Sequence, residues 1–515
     1  MAKVSSRSSR IAKNTLTLYF RMLFLMGIGI FTSRVMLQAL GVENYGIYNV
    51  VGGFVALFHV LTKSLSSASS RFLNFEMGTG NKERLKRVFS TTESIMFLMA
   101  IIIAVLSEVI GIWYVNNKMV IPPERIYAAN WCFHLSVLSF CYGLITVPYN
   151  AAIIAHEKMN VYAYISIFDG VAKLLICYLV IISGFDKLIT YATLFFAISF
   201  INRTVYRWYC RKHFPECKYK FMLDKPLLKE IFGYTGWNII GATSAVLRNQ
   251  GGNVMINLFF GPTVNAARGV ANQVLHIITG FVHNFVVALN PQITQTYASG
   301  EHQYMMKLIF QGARLSYFMI LFLGLPVFVS TDYLLHIWLK TVPEYSALFA
   351  QLTLVFNMVE SISNPLITAQ LATGKIRNYQ IAVGGLQLLV LPVDYVVLEF
   401  FHGPPQTIFI VATVFSAMCL AVRLYMLRGM INLDVPKFIY KVILNVLGVT
   451  IVAAAIPVAV NHFIPENFIN FVLVSILSLV SAAVTILFLG CDHAERQFVY
   501  AKVASIKNKI VGKRK

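Results

Sequence analysis

Long apolar segments alternate with short polar segments along almost the whole chain. Most apolar segments reach the roughly 20 residues that an α-helix needs to cross the hydrocarbon core of a bilayer. The pattern predicts fourteen membrane-spanning helices. Their approximate bounds are 14–40, 45–73, 88–115, 126–149, 161–183, 188–208, 233–260, 263–290, 308–331, 347–372, 379–401, 406–428, 440–462 and 467–490. We therefore predict an all-α integral membrane protein.

Two neighbouring spans in the middle of the chain, separated by a break at Gly261-Pro262, each carry a polar stripe. The stripes comprise Arg248, Asn249, Asn253 and Asn257 in the first span, and Asn265, Arg268, Asn272, His276, Thr279 and His283 in the second. Steps of mostly three or four residues place each set on one helical face. Because hydrocarbon cannot satisfy such groups, the stripes are expected to face a wet cavity or a polar ligand.

The composition excludes several classes of protein. Of the 515 residues, 57% are hydrophobic and only 13% are charged, whereas a soluble protein carries about 25% charged residues. The net charge of +21 comes from lysines and arginines between spans, so nucleic acid is not an expected partner. The sequence contains no DxD, GxSxG or P-loop motif and no zinc-type cysteine spacing. The protein is therefore not expected to be an enzyme or to carry a metal or other cofactor.

Loop charges predict the orientation in the membrane. Basic residues concentrate after the second and sixth spans and in the tail: Lys82, Arg84, Lys86, Arg87; Arg207, Arg211, Lys212, Lys218, Lys220, Lys225, Lys229; and Lys502, Lys507, Lys509, Lys513, Arg514, Lys515. The opposite loops 402–405 and 462–466 contain no lysine or arginine. By the positive-inside rule, both termini are expected in the cytoplasm.

Two signatures recur between the halves of the chain. Gly41 and Gly80 are matched by Gly261 and Gly300, at an offset of 220 residues. A longer pattern, P-x3-A-x-[IL]-A-x2-K-[MI]-x2-Y, begins at Pro148 and again at Pro365, an offset of 217. They predict a duplicated unit of six spans, and an even number of spans gives both copies the same orientation in the membrane.

The duplication suggests a division of the chain into four parts. We predict an N-terminal six-helix bundle at 1–220 and a C-terminal six-helix bundle at 221–430. Two additional helices would occupy 431–490, and a basic cytoplasmic tail 491–515.

Cations inside the spans point to an anionic ligand. Arg34, Lys63, Arg248 and Arg268 lie in the first two spans of each half, and guanidinium groups bind phosphate through paired hydrogen bonds. The candidate substrate-binding residues are Arg34, Lys63, Arg248, Arg268, Asn249, Asn253, Asn272 and His276. For Arg21, Arg71 and Arg423, two interpretations remain open: they anchor the helices, or they contact ligand.

Carboxylates inside the spans are candidates for ion coupling. Asp169 and Glu360 would bind the coupling ion, a proton or sodium. Asp169 also lies one helical turn from Lys173, so that an ion pair is the alternative. Asp394 and Glu399 are expected near the outer face, as edge residues.

The motifs resemble those of a known family. A Leu40-Gly41-x3-Tyr45-Gly46-x-Tyr48 turn follows the first span, and LSSASSRFL closes the second at 65–73. Together with the fourteen spans and the repeat, these motifs resemble those of the bacterial polysaccharide exporters. That group comprises the Wzx-type O-antigen and capsule flippases of the MATE-like MOP superfamily.

The resemblance implies a function and a location. The protein would flip an undecaprenyl-pyrophosphate-linked oligosaccharide from the cytoplasmic to the periplasmic leaflet of the bacterial inner membrane, for surface polysaccharide assembly. Its partners would be this anionic lipid-linked oligosaccharide, membrane lipids, a coupling ion and other polysaccharide assembly proteins. The alternative is an ion-coupled multidrug or metabolite antiporter of the same fold.

Overall fold

The computed structural model describes residues 2–56, 58–117, 121–339, 342–464, 467–493, 495–497 and 500. Within these ranges the chain is helical. The α-helices are α1 (Ala2–Ala56), α2 (His59–Thr79), α3 (Lys82–Leu106), α4 (Ile112–Asn117), α5 (Ile126–Ala155), α6 (Met159–Ile182), α7 (Lys187–His213), α8 (Lys225–Ala298), α9 (His302–Val329), α10 (Thr331–Trp338), α11 (Ser346–Thr373), α12 (Arg377–Phe400), α13 (Thr407–Ile431), α14 (Val435–Phe438), α15 (Asn445–Phe463) and α16 (Phe468–Thr485). Short 3₁₀ and π segments flank or join several of them.

The helices match the predicted spans. Among the described residues, eleven helical segments are long and apolar enough to cross a membrane, and they coincide with the predicted spans three to six and eight to fourteen. Of the other three predicted spans, the first lies in α1, the second extends from α1 into α2, and the seventh lies in the first part of α8. The prediction of an all-α membrane protein is confirmed.

Glycine breaks two of the longest helices. Gly41 (φ 75°) divides α1 and Gly261 (φ 79°) divides α8. A residue with a Cβ pays a steric penalty at such positive φ values, whereas glycine does not. The equivalent glycines therefore allow both copies of the repeat to turn between their first two spans, as the sequence predicted.

The second predicted span, 45–73, covers the last residues of α1, up to Ala56, and the first residues of α2, from His59. Residue 57 lies outside the described residues.

The backbone also supports the second repeat signature. Glu157, two residues beyond the end of α5, has φ 55°, and Gly374, one residue beyond the end of α11, has φ 75°. These two positions are offset by 217 residues, the same spacing as the sequence signature. The two helix ends therefore share a left-handed turn, occupied in one copy by glutamate and in the other by glycine.

The described chain packs as two compact units. Unit 1 contains Met1–Thr243, Val287–Met305 and Leu371–Gln380, and unit 2 contains Ser244–Val286, Met306–Gln370 and Ile381–Lys515. In unit 1, α5 packs against α2, α3 and α7 around a large apolar core. In unit 2, α8, α11, α12 and α13 contribute a cluster that includes Phe349 and Phe409. The sequence-based bounds at 220, 430 and 490 remain a prediction.

Unit 1 contains a polar network where the last turns of α8 meet the ends of α2 and α5. Glu157 accepts a hydrogen bond from Gln292 and forms an ion pair with Arg10, with Nε and Oε2 2.8 Å apart. Gln295 donates to the carbonyl of Ala155 at 2.8 Å. Gly78 packs so closely on α8 that a Cβ there would lie 2.6 Å from the Cβ of Ala298. Glycine thus permits close contact between these helix ends.

In unit 2, the segment after α16 is tied to α9 by charge. Arg314 donates two hydrogen bonds to the carboxylate of Asp492, at 3.1 and 2.8 Å, and contacts Glu495 at 3.0 Å. The hydrogen bonds from Arg314 hold the pKa of Asp492 below its usual range. This bidentate pair fixes the start of the C-terminal tail.

Candidate functional site

Unit 2 encloses a cavity of about 270 Å³ between α8, α11, α12 and α13. Its lining comprises Arg248, Asn249, Arg268, Asn272, Leu275, His276, Thr279, Thr353, Phe356, Asn357, Glu360, Val390, Asp394, Ile408, Phe409 and Ala412. The lining positions on each helix recur at steps of one, three or four residues, as expected for a single helical face. The cavity therefore combines guanidinium, amide, imidazole and carboxylate groups.

The turn at Gly261 brings residues from the two arms of α8 to one cavity. Arg248 and Asn249 come from the arm before the turn, and Arg268, Asn272 and His276 from the arm after it. Five of the eight candidate substrate-binding residues thus line the same space. Each of the two predicted stripes contributes to this wall.

Arg268, on the second arm of α8, is held by contacts from the first arm and from α13. Its side chain is largely buried, and the residue is 9% exposed. Nη2 donates to the backbone carbonyl of Asn249 at 3.2 Å, and the guanidinium lies 5.4 Å from the centre of the Phe409 ring. Carbonyl and ring stabilise the cation, while its Nε and Nη1 are buried and have no hydrogen-bond partner among the described residues.

Arg248 lies against an aromatic ring of α11. Its guanidinium carbon is 5.0 Å from the centre of the Phe356 ring, a cation–π contact. Such a contact orients the guanidinium without occupying its hydrogen-bond donors. The two arginines therefore present donors to one cavity, as a binding site for a phosphate or another anion requires.

Glu360 lines the cavity and is also tied to the protein behind it. Ser416 donates to its Oε2 at 2.6 Å, and Nη2 of Arg423 lies 3.9 Å from Oε1. Arg423 is 2% exposed and donates to Ser363 at 2.9 Å. Arg423 thus supports Glu360 and α11 from within the protein, which favours its role as a helix anchor.

The position of Asp394 differs from the prediction. The sequence predicts an edge residue, but Asp394 is 1% exposed and lines the cavity. Its signal in the sequence is a lone carboxylate in the apolar run 388–397. An ionisable residue inside a span is by default a candidate functional residue. Thr353 and Asn357, one turn apart on α11, were also missed.

Three further candidates lie elsewhere. Asn253 donates to Gln250 on the same helix at 2.9 Å and does not line the described cavity. Lys63 is exposed on α2 in unit 1. Arg34 lies in α1, and its side chain is outside the described part of the structure. Their roles in substrate binding remain predictions.

The candidate coupling residue Asp169 is engaged within unit 1. Its carboxylate lies 2.7 Å from Nζ of Lys173 and accepts a hydrogen bond from Asn202 at 2.6 Å. These contacts match the alternative interpretation, an ion pair one helical turn apart.

Arg21 and Arg71 make contacts typical of anchors. The guanidinium of Arg21 lies 4.4 Å from the centre of the Tyr162 ring. Arg71 is buried and donates to the carbonyl of Ala372 at 3.1 Å, at the C-terminal end of α11. A cation at this position complements the helix dipole and an otherwise unpaired carbonyl.

Gly252 makes room for Arg268, which leads to a prediction. A Cβ at position 252 would lie 2.8 Å from Nη2 of Arg268, so Gly252→Ala should displace the guanidinium from its carbonyl partner. We expect roughly a tenfold weaker binding of pyrophosphate to the purified protein, about 1.4 kcal/mol. Gly269→Ala is the matched control, because a Cβ at 269 meets nothing within 4 Å. Equal affinities in the two variants would show that the position of Arg268 does not control binding.

Comparison with protein families gives an independent assignment. The model of the family described as "Polysaccharide biosynthesis protein" matches residues 11–297, more than half of the chain. The chain belongs to this polysaccharide biosynthesis protein family. No curated protein matches it in sequence.

Solved structures show that this family member has the MATE fold. A MATE transporter in complex with MaD3S matches with a TM-score of 0.71 at 12% identity, over 84% of this chain and 97% of that chain. An outward-facing multidrug resistance MATE transporter of the MOP superfamily matches with a TM-score of 0.69 at 11% identity, over 82% and 96%.

A third match concerns the binding pocket. A MOP superfamily transporter from Pyrococcus furiosus matches with a TM-score of 0.65 at 11% identity, over 82% of this chain and 96% of that chain. It is described as having a binding pocket of reverse polarity that suggests a different function. The family match confirms the predicted resemblance to polysaccharide biosynthesis proteins, and the solved structures confirm the predicted MATE-like fold.

Proposed function

We propose that the protein flips an undecaprenyl-pyrophosphate-linked oligosaccharide from the cytoplasmic to the periplasmic leaflet by alternating access. The observation that carries the proposal is the pair Arg248 and Arg268 on one cavity with Asn249 and Asn272, in a member of a polysaccharide biosynthesis family. Guanidinium groups suit the pyrophosphate, and the asparagine amides suit sugar hydroxyls.

The proposal includes a location and an energy source. The protein would lie in the bacterial inner membrane with both termini in the cytoplasm, since its basic residues cluster in one set of loops. A proton, sodium or the membrane potential would drive the cycle, and one charge crossing 100 mV provides about 2.3 kcal/mol. Glu360 lines the cavity and remains a candidate for ion coupling, as does Asp169. Other polysaccharide assembly proteins are proposed partners.

Reconstitution tests the proposal. Purified protein would be placed in liposomes that contain a lipid-linked oligosaccharide, and a membrane-impermeant glycosidase would report sugar that reaches the outer leaflet. We expect wild-type protein to accelerate cleavage of the protected fraction, and Arg248→Gln/Arg268→Gln to reduce it to the protein-free rate. Arg428→Gln, which changes an exposed arginine of α13, is the control. Protein-free rates with the wild type would refute the proposal.

A multidrug or metabolite antiporter is the second candidate. Two carboxylates, Glu360 and Asp394, line the cavity beside the arginines, and carboxylates attract cationic compounds. The antiporter predicts ion-driven uptake of a cationic dye by the same liposomes, with no effect on the lipid-linked sugar. The two assays on one preparation therefore distinguish the candidates.

A further inference from the structure

Two residues of opposite charge, Arg268 and Asp394, line the cavity and make no hydrogen bond to each other. Nε and Nη1 of Arg268 are buried and have no hydrogen-bond partner among the described residues. Both carboxylate oxygens of Asp394 are likewise buried and without a hydrogen-bond partner in the part of the chain that the structure describes. The residues that line the cavity therefore include a cation with two unpaired donors and a carboxylate with two unpaired acceptors.

Unpaired burial of these groups is energetically unfavourable. A buried charged group without a hydrogen bond loses its hydration and gains little in return. Glu360, in contrast, accepts a hydrogen bond from the hydroxyl of Ser416 and lies near Arg423. The two carboxylates of the cavity thus differ. Glu360 has a hydrogen-bond donor within the protein, whereas neither oxygen of Asp394 has one among the described residues.

We propose that Arg268 and Asp394 form a dipolar subsite for a sugar phosphate that carries an N–H group. Arg268 would donate to a phosphate oxygen, and Asp394 would accept from an ammonium or amide N–H of the sugar. The inference rests on the proposed function, which it extends from the phosphate to the adjoining sugar. A charged carboxylate favours such a donor, because hydrogen bonds to charged groups are the stronger ones.

The size of the cavity limits what Asp394 can recognise. At about 270 Å³ it lies below the roughly 300–1,000 Å³ typical of pockets for drug-sized ligands. A phosphate and the sugar attached to it are compatible with this volume, whereas a complete oligosaccharide is not. Asp394 would therefore determine specificity at the sugar next to the phosphate.

Substitution of Asp394 should change two affinities in opposite directions. In Asp394→Asn, a ligand ammonium loses its anionic acceptor, whereas a bare anion loses a repulsive charge near Arg268. We expect wild-type protein to bind glucosamine 1-phosphate about tenfold more tightly than glucose 1-phosphate. The variant should lose this preference and bind inorganic pyrophosphate more tightly than the wild type does. Glu399→Gln, an exposed carboxylate on the same helix, should behave like the wild type.

The experiment is a calorimetric titration of the purified full-length protein with these three probes. Equal wild-type affinities for the two sugar phosphates would overturn the inference, and this comparison does not depend on folding of any variant. An unchanged preference in Asp394→Asn would also overturn it, and water would then be the partner of the carboxylate. Failure of the wild type to bind pyrophosphate would instead overturn the anion site of the proposed function.

Discussion

Arg268→Gln should lower the affinity for pyrophosphate about 10- to 100-fold. A hydrogen bond to a charged group contributes about 1.5–3 kcal/mol, and each 1.4 kcal/mol changes affinity about tenfold. Arg268 is the stronger candidate of the two arginines, because it is buried and its position is fixed by Asn249 and Phe409. The measurement is calorimetric titration of the purified variant, with glycan export in complemented flippase-null cells as the cellular counterpart.

In Arg268→Lys, the positive charge alone should not restore pyrophosphate binding. Lysine keeps the positive charge but lacks the planar fork that reaches both Asn249 and a ligand. We therefore expect Arg268→Lys to remain well below the wild type, while Arg428→Gln should match it at equal protein level. Wild-type affinity and export in Arg268→Gln would remove this residue from the mechanism.

A disulfide between positions 78 and 298 should stop transport completely. The proposed alternating access requires the C-terminal ends of α2 and α8 to separate, and Gly78 and Ala298 form a close contact there. Disulfide-bonded cysteines have Cβ atoms about 3.8 Å apart, so a shift of about 1 Å from the present contact accommodates the bond. Gly78→Cys/Ala298→Cys would be made after the seven native cysteines are replaced by serine or alanine.

The test compares one preparation before and after reduction. Oxidised double-cysteine protein should show protein-free rates of lipid-linked sugar translocation, and dithiothreitol should restore the rate. Each single-cysteine protein, treated in the same way, controls for the substitutions and for the oxidant. Full activity of a quantitatively crosslinked protein would mean that these helix ends need not separate.

Much of the fold could be predicted because its determinants are local. The length of an apolar segment predicts a membrane span. A glycine between two such segments predicts a break, and Gly41 and Gly261 do adopt positive φ at the breaks in α1 and α8. The step of three or four residues between polar positions also predicted a polar face on each arm of α8, and part of each face lines the cavity, although Asn253 does not. Arg248, Arg268 and Asn272 were accordingly found together.

The remaining features depend on contacts between distant parts of the chain. Asp394 was misplaced because neither its position along α12 nor its apolar neighbours reveal which helices cover it. Asp169 was a plausible ion site in sequence, yet Lys173 and Asn202 occupy its carboxylate. The opposite outcomes for these two residues show that the sequence locates charged groups in the membrane, whereas packing determines which of them face a cavity.

Direct binding of the headgroup tests the central claim. Native mass spectrometry would compare undecaprenyl pyrophosphate with neutral undecaprenol on the wild type and on Arg248→Gln/Arg268→Gln. We predict a one-to-one complex of the wild type with the pyrophosphate lipid, weak binding of the alcohol, and loss of the difference in the double variant. Equal retention of both lipids by the wild type, or an unchanged preference in the double variant, would contradict the account.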